Sequence, residues 1–168
     1  MMLSRGKDLS DMIQEISVLE QSTQVYDVVI SNEYGGDKGT TRFNKDNNTV
    51  EMVLPKGSDL ELAGHEFKHG YQFEIGAYSI SKFTDGSPIY DKTDEAEAYQ
   101  RSSSISGKDR SSYLNDPIYF EIQAGPMDMR MWINNTEALN RPDILQRKAN
   151  SLRCVFRWNG RTYVGNTF

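Results

Sequence analysis

The sequence predicts an α+β fold: a small mixed or antiparallel sheet, one helix carrying the reactive residues, and a second helix packed on it. Three observations predict it. Short β-branched runs fall at 25–30, 41–54 and 154–164, apolar residues recur at helical spacing over 8–22 and 58–76, and the only two histidines stand four apart in His65-Glu66-Phe67-Lys68-His69.

Taken in order, Leu9, Met12, Ile13, Ile16 and Leu19 mark an amphipathic helix over 8–22, and Val25 to Ile30 reads as a strand. The glycines between 33 and 39 mark a loop. No serine or threonine follows Lys38, so Gly35-Gly36-Asp37-Lys38-Gly39 is a turn rather than a phosphate loop. Thr41–Asn44 and Thr49–Leu54 flank a polar turn and form a hairpin. Ser58 and Glu61 then make a capping box that opens the helix carrying Leu62, His65, Glu66, His69 and Phe73, and Gly76 ends it. Residues 77–90 read as a polar connection holding Asp85, Gly86 and Pro88. A second helix, capped by Asp91 or Thr93, runs through Arg101, and the serine-rich stretch 102–112 reads as irregular. Met127, Met131, Trp132 and Ile133 predict a helix, and Pro142 opens another through Ala149. The chain closes with a hairpin, 154–158 and 161–164, turning at Asn159-Gly160.

Composition bounds the function. A chain of 168 residues is read as a single domain, 1–168, standing alone or as the C-terminal module of a longer protein. A net charge of −5 argues against nucleic acid as a partner, because phosphate binding rests on basic surfaces. No apolar run is long enough for a membrane span, and the first residues have no signal-peptide pattern. The expected setting is therefore the cytoplasm, or secretion as part of a longer chain. A lone cysteine, Cys154, excludes an internal disulfide and thiol metal clusters, and is expected to be buried.

The histidine pair carries the chemistry. Residues four apart on a helix are offset by about 40°, so both rings leave one face. Glu66 points beside them, within reach of a metal-activated water. By chance this pattern arises in roughly one chain in a thousand of this size. A working zinc site needs a third protein ligand. With no histidine left, that ligand is a carboxylate. Glu74 on the same helix would face away, and Asp85 in the connection would be poorly oriented. The second helix is better placed, and its candidates rank Glu95, then Asp94, then Glu97.

These residues resemble the zincin metallopeptidases of the gluzincin type, in which a downstream glutamate completes an HExxH pair; Glu95-Ala96-Glu97-Ala98 occupies that place. The run Leu62 to Phe73 also looks like metallopeptidase domains at the ends of bacterial polymorphic and Rhs-type toxins. The resemblance covers about residues 25–101. It implies a zincin-like fold, a Zn2+ cofactor on His65, His69 and Glu95, a peptide or protein substrate, and an immunity protein or parent polypeptide as partner. The sequence departs from the pattern twice. Lys68 stands where an uncharged residue is usual, a position expected to face solvent. Tyr99 stands four after the ligand, where an aspartate often orients a histidine; Asp91 and Asp94 are the candidates to replace it.

The expected chemistry is hydrolysis, with zinc lowering the pKa of its water to roughly 7 and Glu66 as general base. Tyr78, Tyr99, Arg101 and Tyr113 are candidate oxyanion donors. The strand 49–54 is expected to edge the cleft and accept an extended substrate by strand addition. Two rivals stand beside this reading: a non-catalytic zinc module closed by a fourth ligand such as Asp91 or Asp94, and a metal hydrolase acting on another bond.

Overall fold

A computed structural model describes residues 2–33, 35–36, 38–81, 88–89, 92–116 and 141–166. Asp85, Gly86, Asp91 and the helix expected at Met127–Ile133 lie outside the described residues. The elements, in order, are α1 (Met2–Glu20), β1 (Val25–Ile30), β2 (Thr40–Asn44), β3 (Thr49–Leu54), α2 (Leu60–Glu74), β4 (Ser79–Ser81), β5 (Pro88–Ile89) and α3 (Lys92–Ser106). A 3-10 turn (Ser111–Asn115), α4 (Pro142–Leu152), β6 (Cys154–Trp158) and β7 (Arg161–Val164) follow. The fold is α+β, as the sequence predicts.

Two sheets form. The first is mixed, in the order β1-β3-β2, with β1 parallel and β2 antiparallel to β3. The second is antiparallel, in the order β5-β4-β6-β7. Both predicted hairpins are present. In the second, Asn159 and Gly160 both take positive φ, 47° and 73°, the combination a two-residue turn needs to match strand twist. Between the sheets and α2, Phe43, Val50, Phe73, Tyr78, Ile80 and Val155 form one buried cluster. A second gathers Leu145, Ala149, Cys154, Phe156 and Tyr163 under α4, so Cys154 is buried as expected.

The structure corrects five expectations. First, β3 is not an edge. All six of its residues are buried and both its sides are paired, so strand addition there is excluded. The parallel partner β1 displaces it to the centre. Second, α2 is capped by Asp59, not Ser58: the Asp59 carboxylate accepts from Leu62 N–H at 2.9 Å, while the Ser58 hydroxyl donates to Pro55 O. Third, the connection after α2 contains β4, because Tyr78 and Ile80 are fully buried and Ser79–Ser81 pairs with β6. Fourth, α3, which starts at Lys92 within the predicted span, continues into the serine-rich stretch as far as Ser106. There Ser103, Ser104 and Ser106 turn their hydroxyls back onto carbonyls four residues earlier. Fifth, α1 starts at Met2, six residues before the predicted start.

Helices α1, α2 and α3 pack together, and one charged group clasps all three. Glu15 of α1 accepts from Lys68 Nζ of α2 at 2.8 Å and from Arg101 Nη2 of α3 at 2.9 Å. Lys68 therefore faces α1 rather than open solvent. Gly64 allows the close crossing of α2 and α3, since a Cβ there would collide with Ile105. That crossing sits one residue before His65.

Candidate metal centre

The cap at Asp59 and the crossing at Gly64 fix the rotation of α2, turning His65, Glu66 and His69 inward, where all three are buried. From the first turn of α3, Glu95 meets them. His65 Nε2 and His69 Nε2 are 3.2 Å apart, Glu95 Oε1 lies 3.0 Å from His69 Nε2, and Glu95 Oε2 lies 3.6 Å from His65 Nε2. Metal–ligand bonds of ~2.0–2.1 Å in tetrahedral geometry separate donor atoms by about 3.3 Å. The observed 3.0–3.6 Å brackets that edge length, so His65, His69 and Glu95 form a group able to hold a metal ion.

Their outer atoms agree with that role. Gln72 Nε2 donates to Asp94 O and to Glu97 Oε2, both at 3.0 Å, which turns Gln72 Oε1 toward His69 Nδ1 at 2.8 Å. An acceptor at Nδ1 requires a proton there and leaves Nε2 directed at the centre. Ser102 Oγ lies 3.5 Å from His65 Nδ1 and 3.5 Å from Glu61 O, giving His65 a weaker version of the same contact. Tyr78 stacks on the His69 ring at 5.1 Å, and Tyr99 sets its edge to His65 at 4.7 Å.

The centre is electrostatically tense. Burial opposes a charged His69, but Glu95, by charge and hydrogen bond, together with Glu66 and Gln72 outweighs it and pushes the His69 pKa up to about 9. Burial also disfavours charge on Glu95, yet the two imidazoles hold its carboxyl well below the usual range. Glu66 goes the other way. Complete burial raises its pKa, and the histidines and the Thr41 hydroxyl only partly offset this. Thr41 Oγ1 sits 2.9 Å from Glu66 Oε2 and 3.2 Å from its carbonyl. Gly39 packs so closely on the same side chain that a methyl group there would lie 2.7 Å from Glu66 Oε1.

An open cleft of about 820 Å³ reaches the centre, lined by Lys38, Thr40, Leu62, Tyr99, Arg110 and Tyr113 together with the centre's own residues. Tyr113 stacks on Tyr99 at 5.4 Å and is half exposed. Arg110 holds Glu61 with two nitrogens, and this draws the expected capping-box glutamate away from the helix start.

Of the residues the sequence singled out, His65, Glu66, His69 and Glu95 come together, and Tyr78, Tyr99 and Tyr113 line the same cleft. Asp94 and Glu97 are not in the metal-holding group: Asp94 offers its backbone carbonyl to Gln72, and Glu97 its carboxylate. Arg101 is not an oxyanion donor, because its guanidinium is paired with Glu15 and does not line the cleft. Tyr78 gives its hydroxyl to Thr41 O at 3.3 Å. Gly39, Thr41, Gln72, Ser102 and Arg110 are site residues that sequence reasoning missed. Only Gln72, three residues past His69 and so on its face of α2, left a readable signal. Compared with known proteins, the chain matches no family model, no curated protein and no solved structure.

Proposed function

We propose that this chain is a zinc-dependent hydrolase of peptide bonds, with His65, His69 and Glu95 as metal ligands and Glu66 as general base. The observation that carries the reading is the meeting of two imidazole nitrogens and a buried carboxylate at 3.0–3.6 Å, with a second, separately held carboxylate beside them. Two nitrogens and one carboxylate oxygen are a donor set that suits zinc at a catalytic centre. Among the described residues the group has three protein ligands, the number a catalytic zinc takes from its protein. The HExxH-plus-glutamate likeness to gluzincin-type zincins supports the same reading.

Bound zinc supplies Lewis acidity, lowering the pKa of water to roughly 7 and polarising a carbonyl. The protein does the rest. Glu66, its proton affinity raised by burial, takes a proton from the attacking water and returns it to the leaving amine. The Thr41 hydroxyl keeps one Glu66 oxygen engaged, which leaves the other for that transfer. Tyr99 and Tyr113 line the cleft and are the candidates to donate to the developing oxyanion. The open cleft suits an extended polypeptide. The likeness to toxin-end metallopeptidases makes a protein target the expected substrate and an immunity protein the expected partner.

The test is Glu66→Gln. It should bind zinc as the parent does and lose turnover on a quenched-peptide library by at least about a hundredfold. Undiminished peptide cleavage by that variant would refute the assignment. A parent chain that binds zinc but cleaves only esters or other non-peptide bonds would redirect it to another hydrolase class.

A further inference from the structure

We infer that Glu97 and Gln72 act as one positioning pair that holds the His69 ring for the metal, replacing the aspartate that Tyr99 displaces. The inference rests on the metal reading of His65, His69 and Glu95, and not on peptide hydrolysis. Its basis is a chain of contacts. Gln72 is fully buried between α2 and α3, and its amide has one arrangement that satisfies every neighbour. The NH2 group faces two acceptors, Asp94 O and Glu97 Oε2, at 3.0 Å each, so the oxygen must face His69 Nδ1 at 2.8 Å. A flipped amide would set oxygen against two acceptors and NH2 against the Nδ1 proton.

Glu97 therefore acts at a distance. It is not in the metal-holding group, but it accepts from the amide that faces the ring. A carbonyl or carboxylate accepting from the non-coordinating nitrogen sets tautomer and ring angle, and its loss typically weakens metal binding about 10–100-fold. The pair also gives Lys68 a role. Lys68 Nζ lies 3.8 Å from Glu97 Oε2 and 2.8 Å from Glu15, so the lysine that departs from the usual motif helps hold Glu97 in reach of Gln72.

The test is a double-mutant cycle on zinc affinity, read with a competing chromophoric chelator on the full chain. Co2+ absorption in the visible reports ring placement. Gln72→Leu should weaken zinc binding about tenfold or more and alter the Co2+ spectrum. Glu97→Ala, at a partly exposed position, should weaken binding several-fold in the parent and less than about twofold in the Gln72→Leu background. Equal loss in both backgrounds would mean that Glu97 acts only through its charge on the metal, and would overturn the pairing. If Gln72→Leu does not fold, an unchanged affinity and Co2+ spectrum in Glu97→Ala overturns it alone. A parent chain with no zinc affinity would instead remove the metal reading beneath it, an outcome distinct from either.

Discussion

The metal-free chain should keep a proton where it would otherwise hold a cation. His69 Nδ1 already donates to Gln72, and Glu95 Oε1 lies 3.0 Å from Nε2, so the ring is held as imidazolium with a pKa of about 9 against an ordinary 6.5. At 1.36 kcal/mol per unit, a rise of about 2.5 units is worth about 3 kcal/mol. The sign follows from linkage. A histidine whose folded pKa is raised contributes stability that is complete below pH 6.5 and lost as pH climbs through about 9. Glu95, depressed in the folded chain, contributes stability that is present above its ordinary 4.5 and lost as pH falls. The chelator-treated protein should therefore be most stable between about pH 4.5 and 6.5, and should lose about 3 kcal/mol to unfolding by pH 9.5. Because the chain has only two histidines, the NMR titration of their ring protons reads this directly, with each resonance assigned by its loss in a single substitution. One ring should titrate near 9. Both rings titrating below pH 7, with urea stability flat from pH 6.5 to 9.5, would refute the electrostatic account of the centre.

Three further substitutions probe its supports. Gly39→Ala must push Glu66 aside, since the new methyl would begin 2.7 Å from Oε1; a misplaced general base should cost turnover up to about a hundredfold while zinc affinity stays within about threefold. Parallel activity and zinc-binding assays check this, and full activity would show that Glu66 need not sit where it does. Asp59→Ala should destabilise the fold by about 1 kcal/mol in urea and Ser58→Ala by less, because only Asp59 accepts from Leu62 N–H; the reverse order would restore the capping box.

What the sequence made legible was local. His65 and His69 share a face by helix geometry alone, and a carboxylate third ligand followed from the absence of any other histidine and the lack of a nearby cysteine, with Glu95 ranked first of three on the second helix. The hairpins 40–54 and 154–164 were readable because alternation and turn chemistry lie within a few residues of each other. What escaped depends on residues far apart in the chain. β3 became central only because β1, more than twenty residues earlier, pairs along its other side. Ser58 and Asp59 are both good caps; Ser58 is turned to Pro55 O, and the glutamate its capping box would use is held by Arg110 from about fifty residues away. Arg101 looked available beside the ligand helix until α1 supplied Glu15. Thr41 and Gly39 carry no motif. They matter only because the end of β2 passes over Glu66.

The most direct test of the central claim is the zinc content of the protein purified without a histidine tag, measured beside Glu95→Gln. The parent should carry about one zinc per chain, or take up one with tight affinity, and Glu95→Gln should lose most of that affinity. A folded parent with neither zinc nor affinity for it would contradict the centre built on His65, His69 and Glu95.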